Sequence, residues 1–440
     1  MPSTAALLLA VLLAWALGRI APAGASVRVA ALALGFALVA AALAGTLLEK
    51  LRLPRVTGYL LFGMLCGPYL ANIITRPMAR ELQIINGLAV TLIAFIAGLE
   101  MNLERLAPRF RAMLRLGGTT MALMYVALFV LFWITWPWLG IAPALTGVQR
   151  FAVAALLTTL VASFSPTVTI ALIAESRAAG PLSELTLAVV VFADLLLILV
   201  FTVTMQGVRT AFGGEAEVGL LMSVMWEIFG SFAFGAAAGA LFAMYLKFIG
   251  REVPLALIAF CATVTAAGDA LHLEPLLSAL AAGLVVENIA PPRGDSLKLA
   301  VEHGALPVLV IFFAAAGASL QIDALATIGG VAVAVSLARM LFIWSGARLG
   351  IRAAGLGPGP SQMVWMGLVS QAGVTLGLTL IVAAEYPAWG VQIQTLMVSL
   401  IALHQLIGPV LFRAALARAG EIGGMNQGVN PNPESLITNP

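Results

Sequence analysis

The 440-residue chain is 61% hydrophobic and only 10% charged, with a mean hydropathy of +1.05. A soluble domain carries about 25% charged residues, so water is not the solvent for most of this surface. A net charge of +3 does not point to nucleic acid, because the basic residues are scattered through short links and form no patch; Cys66 and Cys261 lie far apart without metal or redox spacing, and no cofactor is expected.

Apolar runs of roughly 20 residues recur from end to end. They predict about fourteen spans, near 5–20, 27–48, 55–71, 82–103, 112–138, 150–174, 182–206, 219–247, 253–269, 273–289, 299–318, 323–347, 361–384 and 391–416. The first reads as a retained helix rather than a signal peptide: Ala21-Pro22-Ala23 resembles a cleavage site, but residues 1–4 carry no basic side chain. Links after odd-numbered spans hold six of the 23 Lys and Arg (Arg19, Arg28, Arg76, Arg80, Arg150 and Arg209), and even links with the C-terminus hold sixteen. The remaining one, Arg339, falls inside span twelve. By the positive-inside rule both termini are cytoplasmic, in agreement with an even number of spans. Glu421 to Pro440, rich in Asn, Gly and Pro, is expected to be disordered. Gly355, Gly357 and Gly359 mimic part of a nucleotide loop, but no strand precedes them.

The two halves resemble each other. Gly98 to Glu104 in span four matches Gly317 to Asp323 in span eleven at an offset of 219 residues. Gly58 to Gly67 matches Ser278 to Glu287 at 220, and Ser163-Phe164-Ser165-Pro166 matches Ser370-Gln371-Ala372-Gly373 at 207. Small-residue helices align easily by chance, so the weight lies on three pairs in the same order. The organisation expected is an extra helix in 1–26, repeat one in 27–206, a linker helix in 207–252, repeat two in 253–418 and a tail in 419–440. Units seven spans apart enter the membrane from opposite sides, which makes the repeats inverted about an in-plane axis, as is common in secondary transporters.

Four hydroxyl residues, Ser163, Ser165, Thr167 and Thr169, surround Pro166 in the middle of span six. Proline frees a carbonyl one turn earlier, and freed backbone at bilayer depth survives only against protein or a water-filled cavity. A satisfied proline kink is the plain alternative; a second break at Ser370, Gln371 and Gly373, the matching place in span thirteen, favours a site where broken helices bind an ion. Asp194 stands alone near the centre of span seven, where an aspartate costs about 2.5–3.5 kcal/mol to insert and is tolerated mostly for function. A carboxyl group there can hold a proton or a cation in turn. Arg339 does not deprotonate; its expected part is to pair with Asp194 or to cap carbonyls of a broken helix. Glu100, Glu175, Asp269, His272, Glu287, Glu385 and His404 fall mostly near predicted helix ends, where charge is ordinary. His404 is the partial exception, since span fourteen corresponds to span seven. Glycines four apart, such as Gly63 and Gly67 or Gly235 and Gly239, suggest close helix packing.

Taken in order, Leu53-Pro54-Arg55-Val56-Thr57-Gly58-Tyr59-Leu60-Leu61-Phe62-Gly63, Ala97-Gly98-Leu99-Glu100, Ser163-Phe164-Ser165-Pro166-Thr167, Ala193-Asp194 and Gly367-Leu368-Val369-Ser370-Gln371-Ala372-Gly373-Val374 resemble the monovalent cation:proton antiporters of the sodium/proton exchanger superfamily, nearest the Kef-type branch. The resemblance implies an all-α polytopic membrane protein with two inverted six-helix repeats and crossed broken helices. It also implies a homodimer in the lipid bilayer, in which a core (112–206 and 323–418) moves against a dimerisation domain. Asp194 would bind the ion and the proton with Ser163, Ser165 and Thr167, and Arg339 would support the charge. The chain departs from the pattern at Ala193, where many members place a polar or acidic residue; with one acid the exchange of Na⁺ or K⁺ for H⁺ is expected to be electroneutral. The expected location is a bacterial inner membrane. The alternatives are a cation-coupled symporter of an organic solute and a non-transporting sensor or assembly subunit; no constellation for an enzyme is present.

Overall fold

A computed structural model describes residues 26–423, apart from 52, 77, 79–83, 100–109, 142–144, 146, 214–221, 223–224, 290–294, 319–321, 358 and 372. The first expected span, Glu100 and the tail from 424 onward lie outside the described residues. What is described is helical: α1 Ser26–Lys50, α2 Arg55–Cys66, α3 Ile84–Leu99, α4 Phe110–Leu139, α5 Gly147–Val161, α6 Pro166–Ser176 and α7 Pro181–Ala211. A π-helical turn, Trp226–Gly230, leads into α8 Ser231–Phe248, followed by α9 Val253–Leu271, α10 Pro275–Ile289, α11 Asp295–Ala318 and α12 Ile322–Ala353. A 3₁₀ turn then precedes α13 Val364–Gly367, α14 Gly373–Glu385 and α15 Pro387–Ala419. Among the described residues, six stretches are long and apolar enough to cross a membrane: 110–139, 147–176, 181–211, 226–248, 328–353 and 387–419.

Local chemistry sets several ends. The third span stops at Cys66 instead of running to 71, because Gly67 precedes Pro68 and turns extended (φ −69°, ψ 174°). The sixth expected span is two helices, α5 and α6. With 15 residues, α5 is roughly 22 Å long, short of the ~30 Å hydrocarbon core. Its last carbonyls therefore end inside the membrane.

The helices pack as two sets. α1, α2, α3 and α8 to α11 lie on one another, as do α4 to α7 and α12 to α15, and the sets meet where α6 touches α2 and α3 and where α15 touches α2. Exchanging the halves maps the pairing onto itself: α3 lies on α10 as α11 lies on α2, and α4 pairs with its own counterpart α12. Glycine makes the close pairs possible. A Cβ on Gly98 of α3 would run into the backbone of Leu280 and Leu284 in α10; one on its counterpart Gly317 of α11 would run into Leu60 of α2, and one on Gly63 of α2 into Ala314 of α11.

The tail expected from residue 419 is not free at its start. α15 reaches Ala419, and Glu421, only 4% exposed, accepts the N–H groups of Leu182 (2.6 Å) and Ser183 (2.8 Å) in the first turn of α7. Its own carbonyl accepts from Ala179, and Gly423 donates to Ser176. An acidic side chain on unpaired helix N–H groups outweighs the polar composition that argued for disorder. Glu421→Ala is expected to lose roughly 1–2 kcal/mol of cap, read as a fall of a few degrees in the thermal midpoint of the detergent-solubilised protein. An unchanged midpoint would contradict that role.

Candidate functional site

Pro166 starts α6, and Ser165 caps it, its Oγ accepting from Val168 N at 3.3 Å. Between α5 and α6 the backbone is non-helical over 163–165, and between α13 and α14 it is non-helical over 369–371, so both matched segments break. The breaks lie against each other. Thr169 donates to Gly367 O at 3.3 Å across them as well as to Ser165 O, and the Ser163 and Thr375 hydroxyls are 2.5 Å apart.

Carbonyls freed this way need donors, since lipid offers none. Arg339 of α12, fully buried, supplies them with its planar fork: Nε to Val161 O at 2.8 Å, one terminal nitrogen to Val369 O at 2.7 Å and the other to Ser163 O at 2.6 Å. Of its two expected parts, the structure gives it the second, capping both breaks at once. Its guanidinium also lies 5.7 Å from the centre of the Phe164 ring. Gln371 adds a second set of donations, with Nε2 at 3.0 Å from Val161 O, 3.4 Å from Leu160 O and 3.0 Å from Ser163 Oγ. Ser163 Oγ is thus engaged on three sides: it also donates to Leu160 O and meets Thr375. Ser370 is buried, with its hydroxyl where a Cβ on Gly408 of α15 would sit, and Gly373 opens α14.

Asp194 is 4% exposed on α7, and its Oδ1 has no hydrogen-bond partner among the described residues. α7 packs on α5 and α6, and Thr167, 6% exposed, lies in the first turn of α6. The structure therefore brings Ser163, Gln371 and Arg339 into one network and leaves Asp194 outside it. Glu274 stands just before α10 in the other helix set. Glu274 is anchored: its Oε2 accepts from Leu277 N at 2.9 Å and its N–H donates to Ser231 Oγ at 2.8 Å. Sequence reasoning missed it, because it opens a predicted span where charge is ordinary; the Glu-Pro pair at a helix start was the available signal.

Three residues set aside earlier have structural partners. The carboxylate of Glu175, at the end of α6, accepts from the backbone of Arg55 (2.6 Å) and Val56 (2.9 Å) in α2 and lies 3.6 Å from Arg413 of α15. Arg413 in turn donates to Leu53 O at 3.1 Å, so α6 and α15 of one set clasp the N-terminus of α2 in the other. His404, fully buried on α15, meets Gln371 Oε1 at 2.8 Å through Nδ1. Glu385 pairs with Arg209 at 2.8 Å near the surface.

Residues 36–417 match the family described as sodium/hydrogen exchanger, transmembrane. Among solved structures, the chain is similar to the sodium proton antiporter MjNhaP1 from Methanocaldococcus jannaschii at pH 8, with a TM-score of 0.67 and 17% identity over 90% of this chain and 99% of that one. An electron-microscopy structure of MjNhaP1 gives a TM-score of 0.70 at 17% identity, covering 88% and 97%. At that identity the likeness shows the fold. A search of curated proteins gives no significant match.

Proposed function

Because the chain belongs to the sodium/hydrogen exchanger family, and so is a multi-pass membrane cation/proton antiporter, we propose that Asp194 is the group that carries its cation and its proton in turn. The observation behind this is the contrast within the site: the crossing's carbonyls are already capped by Arg339 and Gln371, whereas the buried Asp194 Oδ1 has no partner among the described residues. An acceptor at that depth needs a proton or a cation. Ser165 and Thr167, at the start of α6, complete the cation's ligands, and Ser163 serves mainly to join the two breaks. The helices α4 to α7 and α12 to α15 form the moving core, which rocks against the other set, and two copies pair through that second set. With both termini in the cytoplasm of a bacterial cell, the Glu175–Arg413 clasp on α2 closes the inner side, and Glu274 lies toward the outer side.

A single carrier acid, with the arginine fully engaged by carbonyls of the crossing, exchanges one monovalent cation for one proton. Reconstituted into liposomes, the protein is expected to acidify or alkalinise the lumen in response to a Na⁺ or K⁺ gradient, at a rate unchanged when the membrane potential is clamped at different values. A rate that scales with potential would refute electroneutral exchange, and comparison of Na⁺, K⁺ and Li⁺ gradients identifies the ion.

A further inference from the structure

His404 is a titratable side chain at the crossing that the exchange reaction does not use. The reasoning starts from Gln371. Its terminal atom nearest Leu160 O, Val161 O and Ser163 Oγ faces two carbonyl oxygens, which can only accept. That atom is therefore the amide nitrogen, and the reverse orientation would set three oxygens against one another. The other end, Oε1, is then an acceptor only, and the ring nitrogen 2.8 Å from it, Nδ1 of His404, must carry a hydrogen. At the far side of the ring Nε2 is buried without a partner among the described residues. A second N–H there would be a charged donor with nothing to donate to, which is costlier than a bare lone pair. The ring is thus neutral, with its single hydrogen on Nδ1.

The placement gives this tautomer a purpose. His404 lies on α15, the counterpart of the helix that carries Asp194, and Gln371 lies in the second break while its donations go to the first. An amide free to rotate would turn its oxygen toward Val161 O and leave that carbonyl with Arg339 alone. We infer that His404 is a positioning residue of the exchanger: its Nδ1–H fixes the sense of the Gln371 amide and so holds the first break in the shape that presents the start of α6 to the ion. The inference rests on the reading that the crossing shapes the ion site.

Two measurements test it. The chain has three histidines, His272, His303 and His404, so ¹⁵N-histidine labelling in lipid resolves the His404 ring, assigned by its loss in His404→Asn. The expected spectrum shows a protonated Nδ1 and a bare Nε2; an Nε2–H ring or an imidazolium overturns the inference, whether or not the protein transports. In transport, His404→Asn keeps an N–H close to the place of Nδ1, whereas His404→Leu fills the space without one. The Leu variant is expected to raise the apparent KM for the cation by about tenfold, as for one lost buried hydrogen bond, with a smaller change in maximal rate, while Asn stays close to wild type. An Asn variant as impaired as Leu, or a Leu variant equal to wild type, overturns it. Failure of the Asp194 reading looks different, since it leaves the tautomer and the Asn-versus-Leu contrast intact.

Discussion

Asp194→Asn is expected to reduce cation-driven proton movement to the level of empty liposomes while leaving the protein folded. The amide has nearly the shape of the carboxyl group, so the buried site on α7 is not repacked. It can neither take up a proton and release it nor offer the charge that holds a cation. A charged aspartate at this depth costs about 2.5–3.5 kcal/mol to insert, so the thermal midpoint should stay level or rise. Asp194→Glu keeps the acid but adds a methylene to a packed wall, and partial exchange with a higher apparent KM is expected. If Asp194 carries both, cation and proton exclude one another at a single group in the wild type, and each weakens the other's binding by the same factor. Where the proton form prevails, the apparent KM for the cation should rise by up to about tenfold per unit fall in pH, with the maximal rate little changed. Exchange by Asp194→Asn at the wild-type rate would place the carrier elsewhere.

Much of this could be read from the chain, because the informative features were local or periodic. Pro166 amid four hydroxyls marked one break, and the offset of 207 residues marked the other. Gly98 and Gly317 were matched by spacing alone, and they lie at equivalent close approaches, each against the helix that corresponds to the other's partner. What stayed hidden depended on register between distant helices. Nothing in sequence says that α15 sets its histidine, rather than a neighbouring residue, against Gln371, or that Arg339 faces carbonyls and not Asp194. Glu175 was set aside and Glu274 missed for a related reason. A charge at a helix end is ordinarily solvated, and only the fold shows that Glu175 reaches the backbone of α2 and that Glu274 is tied to Ser231 and to the first turn of α10. Glu421 was misread because composition ranks a segment's average, while one carboxylate on two helix N–H groups is enough to hold its beginning.

Arg339 should fail differently from Asp194. Arg339→Leu leaves Val161, Ser163 and Val369 without their guanidinium donors, and each buried carbonyl left unpaired costs roughly 1–3 kcal/mol. Gln371 still serves Val161, and removing a buried charge returns some desolvation energy, so the net loss lies near the lower end, about 3 kcal/mol. Against a total stability of about 5–15 kcal/mol that is a large fraction. The Leu variant is therefore expected in low yield, with a clearly reduced thermal midpoint and no exchange. Arg339→Lys retains the charge, but an ammonium is a compact donor and cannot span three carbonyls that a planar fork reaches together; intermediate stability and weak exchange are expected. A Leu variant with the wild-type midpoint would show that the crossing does not depend on the guanidinium. The contrast between the two sites is the stronger test: if Asp194 carries the ion and Arg339 holds the backbone that receives it, Asp194→Asn should lose transport alone, whereas Arg339→Leu should lose transport and stability together.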